Sequence, residues 1–177
     1  MKYKVLGPFE IKCNGNTVAY KPSELREFWD VVNEQCKGLS LACGCYLFAT
    51  NAGTPWYVGK TCKQNFAHEV FAHHKLTYYN EVVANRNCIP TLFFIAKTTE
   101  NGKFVKPSKK GYTDVDFLER LLIGAALRKN KNLFNVKESK NLKEMIVPGF
   151  INSPPGKPTI AVSKFIKVLS GNKSKFK

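Results

Sequence analysis

GCYLFATNAGTPWYVGKT, from Gly44 to Thr61, reads as two short strands joined by a turn at Asn51-Ala52-Gly53-Thr54-Pro55. Aromatic and aliphatic residues suited to a pleated surface fill both runs, and the Asn, Gly and Pro between them supply turn conformations. Tyr46 falls in the first strand and Tyr57 in the second, which ends in Gly59-Lys60-Thr61. Taken singly, each tyrosine is an ordinary strand residue. The Gly-Lys-Thr ending resembles that of a phosphate loop, but Thr54 occupies the place of the loop's first glycine, which excludes that reading.

Upstream, residues 1–20 alternate loosely around an Asn-Gly turn and are expected to form a β-hairpin. Lys21–Gly38 is expected as a helix: Pro22 and Ser23 lie near its start, Leu25, Phe28, Trp29 and Val32 recur at helical spacing, and Gly38 stops it. Downstream, Asn65–Tyr79 places Phe66, Val70, Phe71 and His74 at helical spacing, which predicts one helix. His68, Glu69, His73 and His74 read as its polar flank. Thr91–Lys97 is a near-continuous apolar run, the mark of a strand buried on both faces. A loop carrying Lys106, Lys109 and Lys110 follows, and then a helix over Asp114–Asn130. Its expected apolar face is Phe117, Leu118, Leu121, Leu122, Ala125 and Ala126, with Glu119 beside it. A carboxylate in that position stands either at a helix margin in water or next to a pocket, since burying it unpaired is costly. PGFINSPPGKP is a Pro/Gly-rich connector, and the chain ends in a short helix and a basic tail.

The charge balance is the strongest bulk signal: 28 Lys+Arg against 13 Asp+Glu give a formal +15. Such an excess favours a polyanion, because each phosphate neutralised releases condensed counterions. Most of it is lysine, which suits phosphate contact better than base readout. No apolar run is long enough to span a bilayer and the first residues lack a signal-peptide core, so a cytoplasmic protein without a membrane partner is expected. The six cysteines show no CxxC pair and are expected to be free thiols.

The order of these elements is more specific than any one of them. Gly44-Cys45-Tyr46, a ten-residue gap, Tyr57-Val58-Gly59, a helix, an apolar strand and an acidic helix with Glu119 together resemble the GIY-YIG nuclease superfamily over residues 43–138, with Asn135 matching the family's terminal asparagine. The resemblance implies an α+β fold: a small central three-stranded sheet flanked by helices, here with an N-terminal hairpin and helix extension (1–42) and a C-terminal connector and basic tail (139–177). It implies metal-dependent hydrolysis of DNA phosphodiesters, with Glu119 holding Mg²⁺ or Mn²⁺, Tyr46 helping to activate the attacking water, and Tyr57, Lys60 and His68 in support. Nucleic-acid contact is expected at Lys60, Lys63, His73, Lys75 and Asn135. One departure stands out: the family's arginine, eight residues beyond the second motif's glycine, is Ala67 here, with His68 adjacent. A catalytically inactive nucleic-acid-binding module on the same fold is therefore an alternative, as is a basic protein-interaction domain of a restriction or defence system. Homo-oligomerisation is left open.

Overall fold

The computed structural model describes residues 1–135, 140, 143–151 and 156–170. Two compact units divide the chain, Met1–Val136 and Lys137–Lys177. The first unit is α+β. Its main sheet contains β1 (Lys2–Glu10), β4 (Gly44–Thr50), β5 (Pro55–Thr61) and β6 (Pro90–Thr98), in the order β1-β6-β4-β5 with every neighbour antiparallel. The three-stranded expectation is thus corrected to four strands. The N-terminal residues do not pair mainly with one another: β1 runs along β6 from Lys2 opposite Thr98 to Glu10 opposite Thr91. Only Cys13–Asn14 (β2) and Thr17–Val18 (β3) close the small hairpin that the Asn-Gly turn predicts. The reason is burial. Leu6 and Phe9 face the core only when their strand extends the sheet, and a two-stranded hairpin alone has no core to offer them.

Helices cover both faces. On one, α1 (Pro22–Gln35) sets Trp29 and Val32 against Tyr46, Phe48 and Phe94, joined by Tyr79 and Val82 of α3 (His73–Arg86). On the other, α4 (Thr113–Lys129) sets Val115, Ile123, Ala126 and Leu127 against Cys45, Val58 and Ile95. Strand alternation explains the sorting, since Tyr46 and Cys45 are neighbours pointing to opposite faces. Gly44 permits β4 to start against β6: its φ is +147°, and a Cβ there would stand 2.3 Å from the Ile95 carbonyl oxygen.

Two helical expectations change. Asn65–Tyr79 is not one helix, because α2 (Phe66–Glu69), capped by Asn65 accepting from the His68 N–H, ends before α3 starts at His73. Phe66, Val70 and Phe71 all reach the core across this break, so their spacing is preserved without a continuous helix. In α4 the buried stripe contains Val115, Glu119, Ile123, Ala126 and Leu127, whereas Phe117 and Leu121 are exposed. Apolar residues surround this helix on nearly every side, so periodicity alone leaves its rotation open.

The far edge of the sheet is tied to α4 through Asp114, which accepts from the Tyr3 hydroxyl (2.7 Å) and from Lys97. Partial burial pushes the Asp114 carboxyl up, but the Lys97 and Tyr3 bonds outweigh it and the net displacement is downward. A depressed carboxylate contributes stability that is present above its unfolded value, about 3.9, and lost as pH falls through the folded one. Asp114→Asn is expected to cost about 2 kcal/mol at neutral pH. The variant also flattens the acid limb, which urea midpoints measured from pH 7 to pH 2 will read.

In the second unit, helix α5 (Ile160–Ser170) packs Phe165 edge-on against Phe150, 5.2 Å between centroids. The expected basic tail from residue 171 onward lies outside the described residues. Among the described residues, no helix is long and apolar enough to cross a membrane.

Candidate functional site

β5 is the outer strand of the sheet, and it brings the two halves of the expected site to its opposite faces. Tyr46 and Gly59 are paired across β4 and β5. The Tyr46 ring lies directly over Gly59, where an added Cβ would stand 2.2 Å from Cζ and 2.4 Å from the hydroxyl oxygen. Glycine is required there by close approach. Tyr46 is 0 % exposed, and among the described residues its hydroxyl has no partner at full hydrogen-bond geometry. Burial above all, then Tyr79 and Tyr57, pushes the phenol well above its ordinary value, so it stays protonated. A phenol sealed in this way does not meet an attacking water, and the structure places the expected water-activating tyrosine in the core.

Tyr46→Phe therefore removes a buried hydroxyl that makes no bond of full geometry. The expected result is unchanged stability or a gain of up to about 1 kcal/mol, against a loss of similar size had the hydroxyl been bonded. Chemical denaturation of the two proteins decides between these.

Tyr57 is half-buried, packed against the same core cluster. Lys75 of α3, 6 % exposed, donates to its hydroxyl at 2.8 Å and pairs with Glu69 at 3.3 Å. Gln64 donates to the other Glu69 oxygen at 2.7 Å, which fixes the carboxylate. Because an ammonium only donates, the Tyr57 oxygen is an acceptor in this bond and its own proton remains available to an incoming oxygen. Lys75, expected among nucleic-acid contacts, is instead a buried cation beside the tyrosine. Its pairing with Glu69 joins two separate helices and leaves no helical spacing in the sequence that could have shown it.

On the opposite face, the Lys60 ammonium stands 2.8 Å from both Asp116 Oδ1 and Glu119 Oε2. Glu119 is 9 % exposed and lies inside the buried stripe of α4, not beside it. Desolvation pulls the Lys60 pKa down, and the two carboxylates more than reverse this, raising it overall. Asp116 was missed in the sequence, although its i,i+3 spacing from Glu119 puts both carboxylates on one side of a helix. A cleft of ≈ 480 Å³ opens at the end of β5, lined by Lys60, Lys63, Glu69, Lys110 and Asp116 among others. It draws from both clusters and from the lysine loop.

The remaining expected residues lie elsewhere. His68 and His73 are exposed, on α2 and at the first position of α3. Asn135 is buried and serves the fold: its amide donates to the Val58 carbonyl at 2.6 Å and accepts from the Val58 N–H at 2.9 Å. With Phe134 N–H donating to the Trp56 carbonyl and Asn130 to that of Pro55, it covers the outer edge of β5. The expected contact to nucleic acid at Asn135 is corrected accordingly.

All six cysteines are free. Burial pushes the Cys43 thiol up to about 11, far from the range in which a thiolate is available. Among the described residues, no group of three or more His, Cys, Asp or Glu side chains stands close enough to enclose a metal ion. Mg²⁺ does not need one, since it takes one or two carboxylates and completes its shell with water and phosphate oxygens. Glu119 and Asp116, converging on a single cationic point, fit that donor chemistry. No protein-family model matches the chain, and no curated protein or solved structure matches it.

Proposed function

We propose that the protein is a metal-dependent endonuclease of GIY-YIG type acting on DNA phosphodiesters at the end of β5. The observation that carries this reading is the convergence of Asp116 and Glu119 on the Lys60 ammonium, with Lys60 and Asp116 also lining a cleft that bears Lys63 and Lys110. Glu119 and Asp116 would hold Mg²⁺, which supplies Lewis-acid polarisation of a phosphoryl oxygen and a more acidic bound water.

The chain's own residues do the rest. Lys63 and Lys110 meet the phosphate backbone at the cleft, where compact ammonium charges suit it. Lys60 is held ready to stabilise negative charge as it builds on the phosphoryl oxygens. Tyr57, its oxygen held by Lys75, stands on the opposite face of β5 and supports the strand that carries Lys60.

A second reading is favoured by one observation, the sealed position of Tyr46. On this reading the fold binds nucleic acid and does not cut it. Incubation of supercoiled plasmid and a branched DNA with the purified protein and Mg²⁺ separates the two. Metal-dependent nicking is the expected result; tight, salt-sensitive binding without nicking would transfer the conclusion to the binding module.

A further inference from the structure

A ladder of aromatic rings starts at Tyr57 and leads away from the cleft described above. Tyr57 and Tyr78 are 5.5 Å apart, Tyr78 and Phe134 stack at 4.9 Å and 12°, and Phe134 meets Trp56 at 5.9 Å. Trp56 and Tyr57 are consecutive in an extended strand, so their rings leave it in opposite directions, and the other two rings join them around its edge. At the far end a second cleft of ≈ 360 Å³ is lined by Trp56, Phe134, Glu81, Asn85 and Arg86. The Arg86 guanidinium lies 5.2 Å from the Trp56 ring centroid.

Trp56 is 9 % exposed, and among the described residues its indole N–H has no hydrogen-bond partner. A buried donor left unmade is costly, and such groups are rare unless something else satisfies them. The cleft therefore combines the half-buried Phe134 ring, the flat Arg86 cation, and acceptors in the Glu81 carboxylate and the Asn85 side-chain carbonyl. The Asn85 amide is engaged with the Glu81 backbone carbonyl at 2.8 Å. A carboxylate repels a phosphate but accepts from an amino or imino group. A planar ligand with both donors and acceptors on its edge fits this set, and a bare phosphate does not.

We propose that this cleft takes an unpaired nucleobase, stacked on Phe134 and on the Arg86 guanidinium that lies over Trp56. The proposal rests on the nucleic-acid reading above and deepens it. Trp56 and Lys60 are four residues apart, ~13 Å along β5, so one strand reaches both clefts. The nuclease then prefers substrates with a splayed or single-stranded segment next to the bond it cuts, because a base inside a duplex is not free to stack.

The test is equilibrium binding of a dye-labelled twelve-nucleotide oligothymidine and of an abasic strand with the same number of phosphates. The wild-type protein is expected to bind the oligothymidine about tenfold more tightly than the abasic strand. Phe134→Leu, which leaves the charge unchanged, is expected to remove most of that difference without weakening abasic binding. Arg86→Ala, at an exposed position that does not threaten folding, is expected to reduce it independently. Equal affinity for the two strands in the wild-type protein, or a difference that survives both variants, overturns the nucleobase shelf while the nucleic-acid reading stands. Failure of the wild-type protein to bind either strand or plasmid DNA overturns both.

Discussion

Glu119→Ala is expected to slow metal-dependent nicking of supercoiled DNA roughly 10³-fold, the equivalent of about 4 kcal/mol of lost transition-state stabilisation. Three facts set the size of the effect. Glu119 is the more buried of the two carboxylates, it reaches the same cationic point as Asp116, and no third acidic group joins them among the described residues. Asp116 alone would hold a divalent ion weakly, with its side chain more open to water. The fold is expected to survive, because Lys60 is partly exposed and its ammonium can turn to solvent once Glu119 is gone. Glu119→Gln, which preserves volume, controls for packing: it should lose cleavage to a similar degree with an unchanged melting temperature. Salt-dependent binding of DNA should remain in both variants, since Lys63 and Lys110 are untouched. Unchanged nicking rates in Glu119→Ala would remove the metal and catalytic roles assigned to this residue.

The largest stability effect is expected from Gly59→Ala. The new methyl carbon would stand 2.2 Å from Tyr46 Cζ, far inside van der Waals contact, and the ring cannot retreat because it is wholly buried among Phe48, Tyr79 and their neighbours. Overpacking of this kind costs at least about 3 kcal/mol. For a chain of this length that lowers the melting temperature by about 6–12 °C. The effect should be strongly coupled: combining Gly59→Ala with Tyr46→Leu is expected to destabilise less than the sum of the single changes, because the shorter side chain vacates the position the methyl needs. Strict additivity would mean that the two residues do not share one space. The same contact gives the Tyr–Gly pairing a physical meaning. Tyr46 and Gly59 are two halves of one packing unit, independent of whether the tyrosine takes part in chemistry.

Local sequence carried much of this molecule. The strands around Tyr46 and Tyr57, the turn between them, the buried strand at Thr91–Lys97 and the helix with Trp29 and Val32 are all legible, because periodicity and turn chemistry act over a few residues. Glu119 and Lys60, singled out by type and order, stand together in one ion pair in the structure. Less could be read from residues 65–79, where a helical spacing of apolar groups persists across a break, and from α4, whose apolar residues do not settle which side faces inward. Glu69 and Asp116 gave no sufficient sign of their part in the cleft.

What the chain determined by itself is where most short elements form and stop, since propensity, hydrophobic period and glycine or proline stops are properties of neighbours in sequence. Only the tertiary structure decided that β1 adds a fourth strand, that Tyr46 is sealed while Tyr57 is half-buried, that Lys75 provides the cation beside Tyr57, and that α4 turns Glu119 inward toward Lys60. Each of these depends on groups distant along the chain. An ion pair such as Lys60–Glu119 or a contact such as Tyr46 on Gly59 gains its energy only after the sheet has brought its members together, and no local pattern records it in advance.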